Sequence, residues 1–400
     1  MQDIKFETIK KIADVKFKYK DFGQISKINS ISPPSVFIGS GLKYPLVNVG
    51  ILSPIERDEN AWIYDDEKYW ADNNFEMKEI IQLRNSLLNS RFQTKTQDAH
   101  LNKKFVEIAK EIAIACKPVD IEIELKNRMR FQREKDRVLT PHGMRAHLKQ
   151  ARITSNVKIH QKVEKVINDD IKASEGIEYL YKNKFTEYAL NKILSVGVLG
   201  LKKSRKLVPT RWSITATDDM IGKILLKKVK ENQWIENFEL HFGEFLGNQY
   251  LILLFPSEWS FELIELYQPG SSWNPSTNIK ASTDFENFSG RKSYAFATAG
   301  GYYATRLAIL EYLNKIKKQA SALVLRIETP TYWAALGVWV VRESVRKALK
   351  KKINFESREE LIESAKKIGK AKYNFDYENI LKESKILKQR KEQKNLGEWF

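Results

Sequence analysis

Cysteine is almost missing from the 400-residue chain. Cys116 is the single one, which excludes an internal disulfide and any Cys-rich zinc site. It sits in the apolar stretch 105–118, where a buried small hydrophobe is expected. Long apolar runs are missing too: the longest, at 333–341, is too short to span a bilayer and is bracketed by Arg326, Glu328, Arg342 and Glu343. Residues 1–20 alternate charged with apolar side chains and contain no signal-peptide core, so a cytoplasmic protein is expected. His142, His147 and His160 match no metal motif on one helix face, and neither a metal site nor a cofactor is expected. There is no repeat of fixed period.

What is present is a globular composition with strong positive charge. A hydrophobic content of 42% supports more than one core, and a net charge of +18 with 11% aromatic residues favours a polyanionic partner, DNA above all. Residues 32–54 hold two β-rich runs separated by Gly39, Gly41 and Pro45, which predict paired strands. Helical spacing covers 75–92 and 98–117, the latter ended by Pro118, and a short alternating strand follows at 119–125. Residues 126–161 are basic and lack clean periodicity, so a connection is expected there. Helical patterns return at 163–183 and 185–201, strands at 238–255 and 322–328, and helices at 307–316 and 334–348. The expected architecture is α+β, a mixed sheet with flanking helices in a large two-lobed body. Its parts would be an N-terminal lobe 1–125, a connecting segment 126–161, a C-terminal lobe 162–372 and a flexible charged tail 373–400.

Two regions are chemically crowded. The first places Lys202, Lys203, Arg205, Lys206, Arg211 and Trp212 before Ser213, Thr215, Thr217, Asp218 and Asp219, a turn-strand-turn length in which Thr217 or Asp218 would N-cap a helix. The second holds Trp273, then Arg291 and Lys292, then Gly300-Gly301-Tyr302-Tyr303-Ala304-Thr305-Arg306. One reading is a nucleic-acid interface: Lys202, Lys203, Arg205, Lys206, Arg211, Arg291, Lys292 and Arg306 on phosphates, with Trp212, Trp273, Tyr302 or Tyr303 stacked on bases. The other is a Mg²⁺-dependent enzyme acting on DNA or a nucleotide, with Asp218 and Asp219 as ligands and Arg211 as phosphate clamp. Adjacent aspartates on a strand point to opposite faces, which favours the helix-cap reading of Asp218.

At the C-terminus, Gln393 is followed by Leu396, Trp399 and Phe400, the last three at i, i+3 and i+4. One helical turn brings these anchors to one side, and the spacing resembles the PIP box that docks proteins on the sliding clamp PCNA. Lys382, Lys385, Lys388, Arg390, Lys391 and Lys394 precede it, and a mobile spacer is expected there.

Together with Pro34-Ser35-Val36-Phe37-Ile38-Gly39 and Val47-Asn48-Val49-Gly50, the stretches 205–219, Gly290-Arg291-Lys292 and Gly300-Gly301-Tyr302-Tyr303 resemble the Nre family of archaeal DNA repair proteins over residues 33–348. The resemblance implies a role in repairing damaged DNA, with PCNA as partner through Gln393, Leu396, Trp399 and Phe400; association with the chromosome and contact with other repair enzymes are expected alongside it. Members of that family often carry a Cys-rich segment ahead of the Pro-Ser-Val-Phe stretch; this chain lacks it, so zinc is not carried over.

Overall fold

The computed structural model describes residues 25–126 and 143–389. They fall into two compact units divided between Ile221 and Gly222.

The first unit carries β1 (Lys27–Ser32), β2 (Val36–Gly39), β3 (Leu46–Pro54), β4 (Leu87–Lys95), β5 (Val119–Leu125) and β6 (Arg145–Ile153), in the sheet order β1-β5-β6-β4-β3-β2. Neighbours run antiparallel except β4 and β6, which are parallel. Along β5, Val119, Ile121, Ile123 and Leu125 are buried while Asp120, Glu122 and Glu124 stay half-exposed, the period-2 signature of a strand with one wet face. Its helices are α1 (Glu67–Asp72), α2 (Met77–Asn85), α3 (Lys104–Ile114), α4 (Gln161–Asn168), α5 (Ala173–Lys182), α6 (Glu187–Ser195) and the first part of α7 (Thr210–Lys230), which runs through the division point. α3 buries Val106, Ala109, Ile112 and Ala113 and contacts β2, β3, β6 and α6.

Several expectations are corrected here. Residues 145–153 are a strand rather than a connection. Their apolar set, Ala146, Leu148 and Ala151, is short and slips register at a bulge, so the alternation is weak in the text while β5 and β4 supply the ladder partners. The helix read over 75–92 stops at Asn85; Leu87 and Leu88 keep the helical spacing, yet residues 87–95 pair along the whole of β3. Cys116 is exposed, because Ala115 pairs with Ile159 and turns inward, leaving the next side chain outside. His142 lies outside the described residues. His160 is a hydrogen-bonding residue, its Nδ1 accepting from the Lys162 N–H at 3.1 Å at the start of α4.

Asp98 holds the short 3₁₀ turn Thr96–His100 in place. Burial opposes its charge, but it accepts from Lys103 Nζ at 2.7 Å, Thr94 Oγ1 at 2.5 Å and Lys95 N–H at 3.0 Å, and these hold its carboxyl down to about 2. A depressed folded-state pKa stabilises above the unfolded value of 3.8 and is lost as pH falls through about 2. Asp98→Asn should therefore flatten the acid limb of the stability curve and cost about 1–2 kcal/mol at pH 7, read by urea unfolding across pH 2–7.

The second unit is built on β7 (Phe238–Phe245), β8 (Asn248–Phe255), β9 (Ser260–Tyr267), β10 (Lys280–Glu286), β11 (Ser321–Glu328) and β12 (Lys352–Phe355), in the order β10-β9-β11-β8-β7-β12. Only β9 and β11 are parallel among these neighbours. β11 lies between β9 and β8 and is buried at every position, which explains the apolar run Ala322–Leu325 and requires its two charged residues, Arg326 and Glu328, to find partners inside the fold. The sheet is joined by α8 (Ala299–Ile316), α9 (Val338–Ala348), α10 (Arg358–Tyr373) and α11 (Glu378–Glu383). Leu251, Leu253, Phe255, Leu323, Leu325 and Ile327 pack with Leu361 and Ala365 of α10, and with Tyr377, Leu381, Ile386 and Leu387 beyond it. Helices α8 and α9 contact each other and pack on β9 and on β7 and β8 respectively.

The mobile tail expected from 373 is thus folded through 389. Buried Glu262 on β9 accepts from Ser384 Oγ at 2.7 Å, Lys385 N–H at 3.0 Å and Ile386 N–H at 3.1 Å. Lys382 pairs with Glu378 at 3.0 Å and Lys388 with Glu383 at 2.8 Å, so the lysines that suggested a spacer decorate a packed segment. No helix among the described residues is long and apolar enough to cross a membrane.

Candidate nucleic-acid interface

In the first unit, residues 202–212 are held from behind. Leu207 N–H donates to Thr96 O and Val208 N–H to Ser195 O, each at 2.8 Å, and Ser195 Oγ returns a bond to Val208 O at 2.8 Å. Gly197, at φ +70°, lets the Lys206 carbonyl come close; a Cβ there would lie 2.5 Å from that oxygen. The fixed backbone leaves Lys202, Lys203 and Lys206 exposed. Arg205 is drawn inward instead: its Nε donates to Gly200 O at 2.9 Å and its Nη2 to Asp169 O at 3.0 Å, so it closes the turn.

Helix α7 starts directly after this segment. Thr210 Oγ1 accepts from Ile38 N–H at 2.9 Å, which seats the Pro34–Gly39 stretch beside the helix start. Arg211 and Trp212 project from the first turn, Trp212 at 50% exposure, and that turn itself holds no acidic residue; Asp170 accepts from the Lys202 N–H at 2.7 Å further back in the segment. The positive end of the macrodipole, Arg211 and the lysines just before it add charge of one sign, an arrangement suited to phosphate.

The turn-strand-turn expected over 202–219 is corrected: residues 210–230 form one helix. The β-branched Ile214, Thr215 and Thr217 imitate strand text, but Ser213 and Thr217, at i and i+4, share the buried face, and Ser213 Oγ donates to Asn191 O at 2.8 Å. Asp218 is therefore buried in mid-helix rather than capping one, with Asp219 half-buried beside it. Among the described residues, no group of three or more His, Cys, Asp or Glu side chains stands where it would hold a metal ion. The Mg²⁺ reading of Asp218 and Asp219 gains no ligand cage from this geometry.

In the second unit, three expected contact residues are spent inside the fold. Arg291 donates through Nη1 to Phe285 O at 2.9 Å, through Nη2 to Tyr294 O at 3.1 Å and through Nε to Ser293 O at 3.3 Å, and it pairs with Asp284 at 3.0 Å. Arg306 is buried with its Nε on Glu286 Oε1 at 2.7 Å, an oxygen that also accepts from Trp259 Nε1 at 2.8 Å. Tyr302 is buried against Phe261, with ring centroids 5.0 Å apart. Tyr302 and Arg306 stand at i and i+4 on α8, on its core-facing side, and cannot reach a ligand from there. Gly301 sits against the Glu265 carboxylate, closer than any Cβ tolerates, which accounts for the second glycine of the pair at the head of α8.

Lys292 does remain exposed, and Trp273 is exposed while its backbone N–H donates to Glu328 Oε1 at 3.1 Å. The same loop exposes Phe288, Tyr294 and Phe296. Phe288 and Phe296 escaped the sequence reading. The available signal was large rings placed among Asn, Ser, Gly and Lys, outside any amphipathic period.

Comparison with known proteins supplies the lineage. The family model for the archaeal Nre N-terminal region matches residues 5–274, and that for the archaeal Nre C-terminal region matches 286–399. A DNA repair protein NreA of Haloferax volcanii is 42% identical over 321 residues, covering 79% of this chain and 76% of its own. An Archaeoglobus fulgidus DNA repair protein NreA is 40% identical over 353 residues, covering 87% and 88%. The DNA repair protein NreB of that organism is 36% identical over 318 residues, covering 79% and 78%. No solved structure matches the chain.

Proposed function

Because the chain belongs to the archaeal Nre family, we propose that it acts in DNA repair, binding DNA through its exposed cations and docking on PCNA through its C-terminal peptide. The observation that carries DNA binding is the cluster at the head of α7, where Lys202, Lys203, Lys206 and Arg211 are exposed beside Trp212 without an acidic partner in the first turn. Names of relatives support the repair role. Support for the clamp is the spacing of Gln393, Leu396, Trp399 and Phe400, which lie outside the described residues, six or more positions after the packed Leu387.

Replacing Lys202, Lys203, Lys206 and Arg211 together by Ala should weaken duplex binding about tenfold or more at moderate salt and make its salt dependence shallower, by about 0.9 in log–log slope per lost phosphate contact. Titration by fluorescence anisotropy at several salt concentrations reads both; an unchanged slope would sink this interface. Deleting residues 393–400 should abolish PCNA binding in a pull-down while leaving DNA affinity and thermal unfolding as they were. Retained clamp binding would end the docking claim.

A further inference from the structure

We propose that the loop of residues 287–297 is a stacking platform for unpaired DNA bases, with Phe296 as the ring that receives a base; this deepens the DNA-binding reading and rests on it. Phe296 is 81% exposed, Tyr294 41% and Phe288 38%. Exposed rings on a slack tip would mean little, but this loop is clamped at both ends and in the middle. The Arg291 guanidinium gathers the carbonyls of Phe285, Ser293 and Tyr294. Asp284 takes Arg291 on one oxygen at 3.0 Å and, on the other, Thr298 N–H at 2.8 Å and Thr298 Oγ1 at 3.0 Å. Ala295 N–H donates to the Tyr303 hydroxyl at 3.0 Å. Tyr294 is backed by Tyr303, with centroids 5.3 Å apart, and meets Phe296 edge-on at 5.0 Å. The rings are thus presented on a preorganised support, which lowers the ordering cost of any ligand that covers them.

The chemistry around them selects the ligand. Lys230 holds its ammonium 4.4 Å from the Phe288 ring, and Lys292 is exposed within the loop itself. Asp284 and Glu286, the carboxylates of the strand that leads into the loop, are paired with Arg291 and Arg306, so neither stands as an open negative charge. Aromatic faces interleaved with lysines, on a chain of net charge +18, are complementary to a strand that offers base faces and phosphates in alternation. Paired bases inside a duplex present no free face, so the platform reads unpaired ones.

The test uses the full chain with a fluorescent adenine analogue placed in a single strand, in an unpaired bubble and in a perfect duplex. Phe296→Ala should lose about tenfold in affinity for the single strand and the bubble, abolish the change in analogue emission, and leave duplex affinity and the melting temperature unchanged. Phe296→Trp should restore both affinity and emission change. Equal single-strand binding by Phe296→Ala, or an equal loss on duplex, overturns the platform while DNA binding itself stands. Failure of the unaltered chain to bind any DNA overturns both readings. Sedimentation of the unaltered chain with anionic vesicles that Phe296→Ala loses, with single-strand affinity unchanged, would assign the rings to a lipid surface and overturn the platform as well.

Discussion

Arg326→Met will destabilise the second unit by about 3–5 kcal/mol, because it strands two buried carboxylates without a cation. Arg326 on β11 donates to Glu265 Oε1, to Glu328 Oε2 at 2.9 Å and to Asn248 Oδ1 at 3.0 and 2.6 Å. Each carboxylate also serves something else. Glu265 accepts from the Tyr267 hydroxyl at 2.5 Å, and Glu328 accepts from Ser272 Oγ and Trp273 N–H at 3.1 Å each. Loss of the guanidinium therefore loosens the loop that carries Trp273 as well as the sheet.

Burial already pushes the Glu328 carboxyl up, and removing Arg326 takes away the largest influence that opposes it. A raised folded-state pKa means the folded variant binds the extra proton, so its stability rises as pH is lowered through that pKa and falls as pH increases. The deficit of Arg326→Met against the unaltered chain should accordingly be larger at pH 8 than at pH 5 in urea unfolding. A pH-independent deficit would show that the carboxylates are rescued by another group. Arg326→Lys should fall between the two, since an ammonium keeps the charge but cannot reach both carboxylates and Asn248 in one plane.

A chain ended at residue 373 will fail to fold its second unit, whereas one ended at 389 will match the full chain. The first truncation removes buried Tyr377, Leu381, Ile386 and Leu387 from the sheet core and takes all three donors away from buried Glu262. At roughly 1.5–3 kcal/mol for each large apolar side chain, that loss of about 6–12 kcal/mol is comparable to the whole stability of a domain. Circular dichroism melts and limited proteolysis of the two truncations give the answer; a cooperative melt for the shorter chain refutes the packing argument. The result also sets the design of the clamp experiment. A deletion at 393 tests docking, while one at 373 would remove the docking peptide and the fold of the second unit together.

The reading of the sequence succeeded where a segment's own pattern decides its state. Alternation along 119–125 gave β5, and the apolar spacing read over 98–117 gave α3, which spans only Lys104–Ile114 between a 3₁₀ turn and the Ala115 bridge, because each needs only one face to be buried. It went astray where a distant partner decides. Leu87 and Leu88 satisfied helical spacing until β3 claimed them, and Ala146, Leu148 and Ala151 were too small a set to announce β6 before β4 and β5 enclosed it. In α7, β-branched residues imitated a strand, and only the burial of Ser213 and Thr217 on one helical face reversed that.

The sequence by itself determined that this protein has no internal disulfide, carries a strong positive balance, is α+β in class and bears the motifs of the Nre lineage, because composition and near-neighbour spacing are written along the chain. Only the tertiary structure decided which charges and rings remain free. Lys202, Lys203, Lys206, Arg211, Lys292 and Phe296 face solvent, while Tyr302 and Arg306, drawn from the same motifs, are buried and half-buried Arg291 is tied to Asp284 and three carbonyls. A buried arginine requires a carboxylate or carbonyl opposite it, and for Arg306 that group is Glu286, on a strand 20 residues away in the chain.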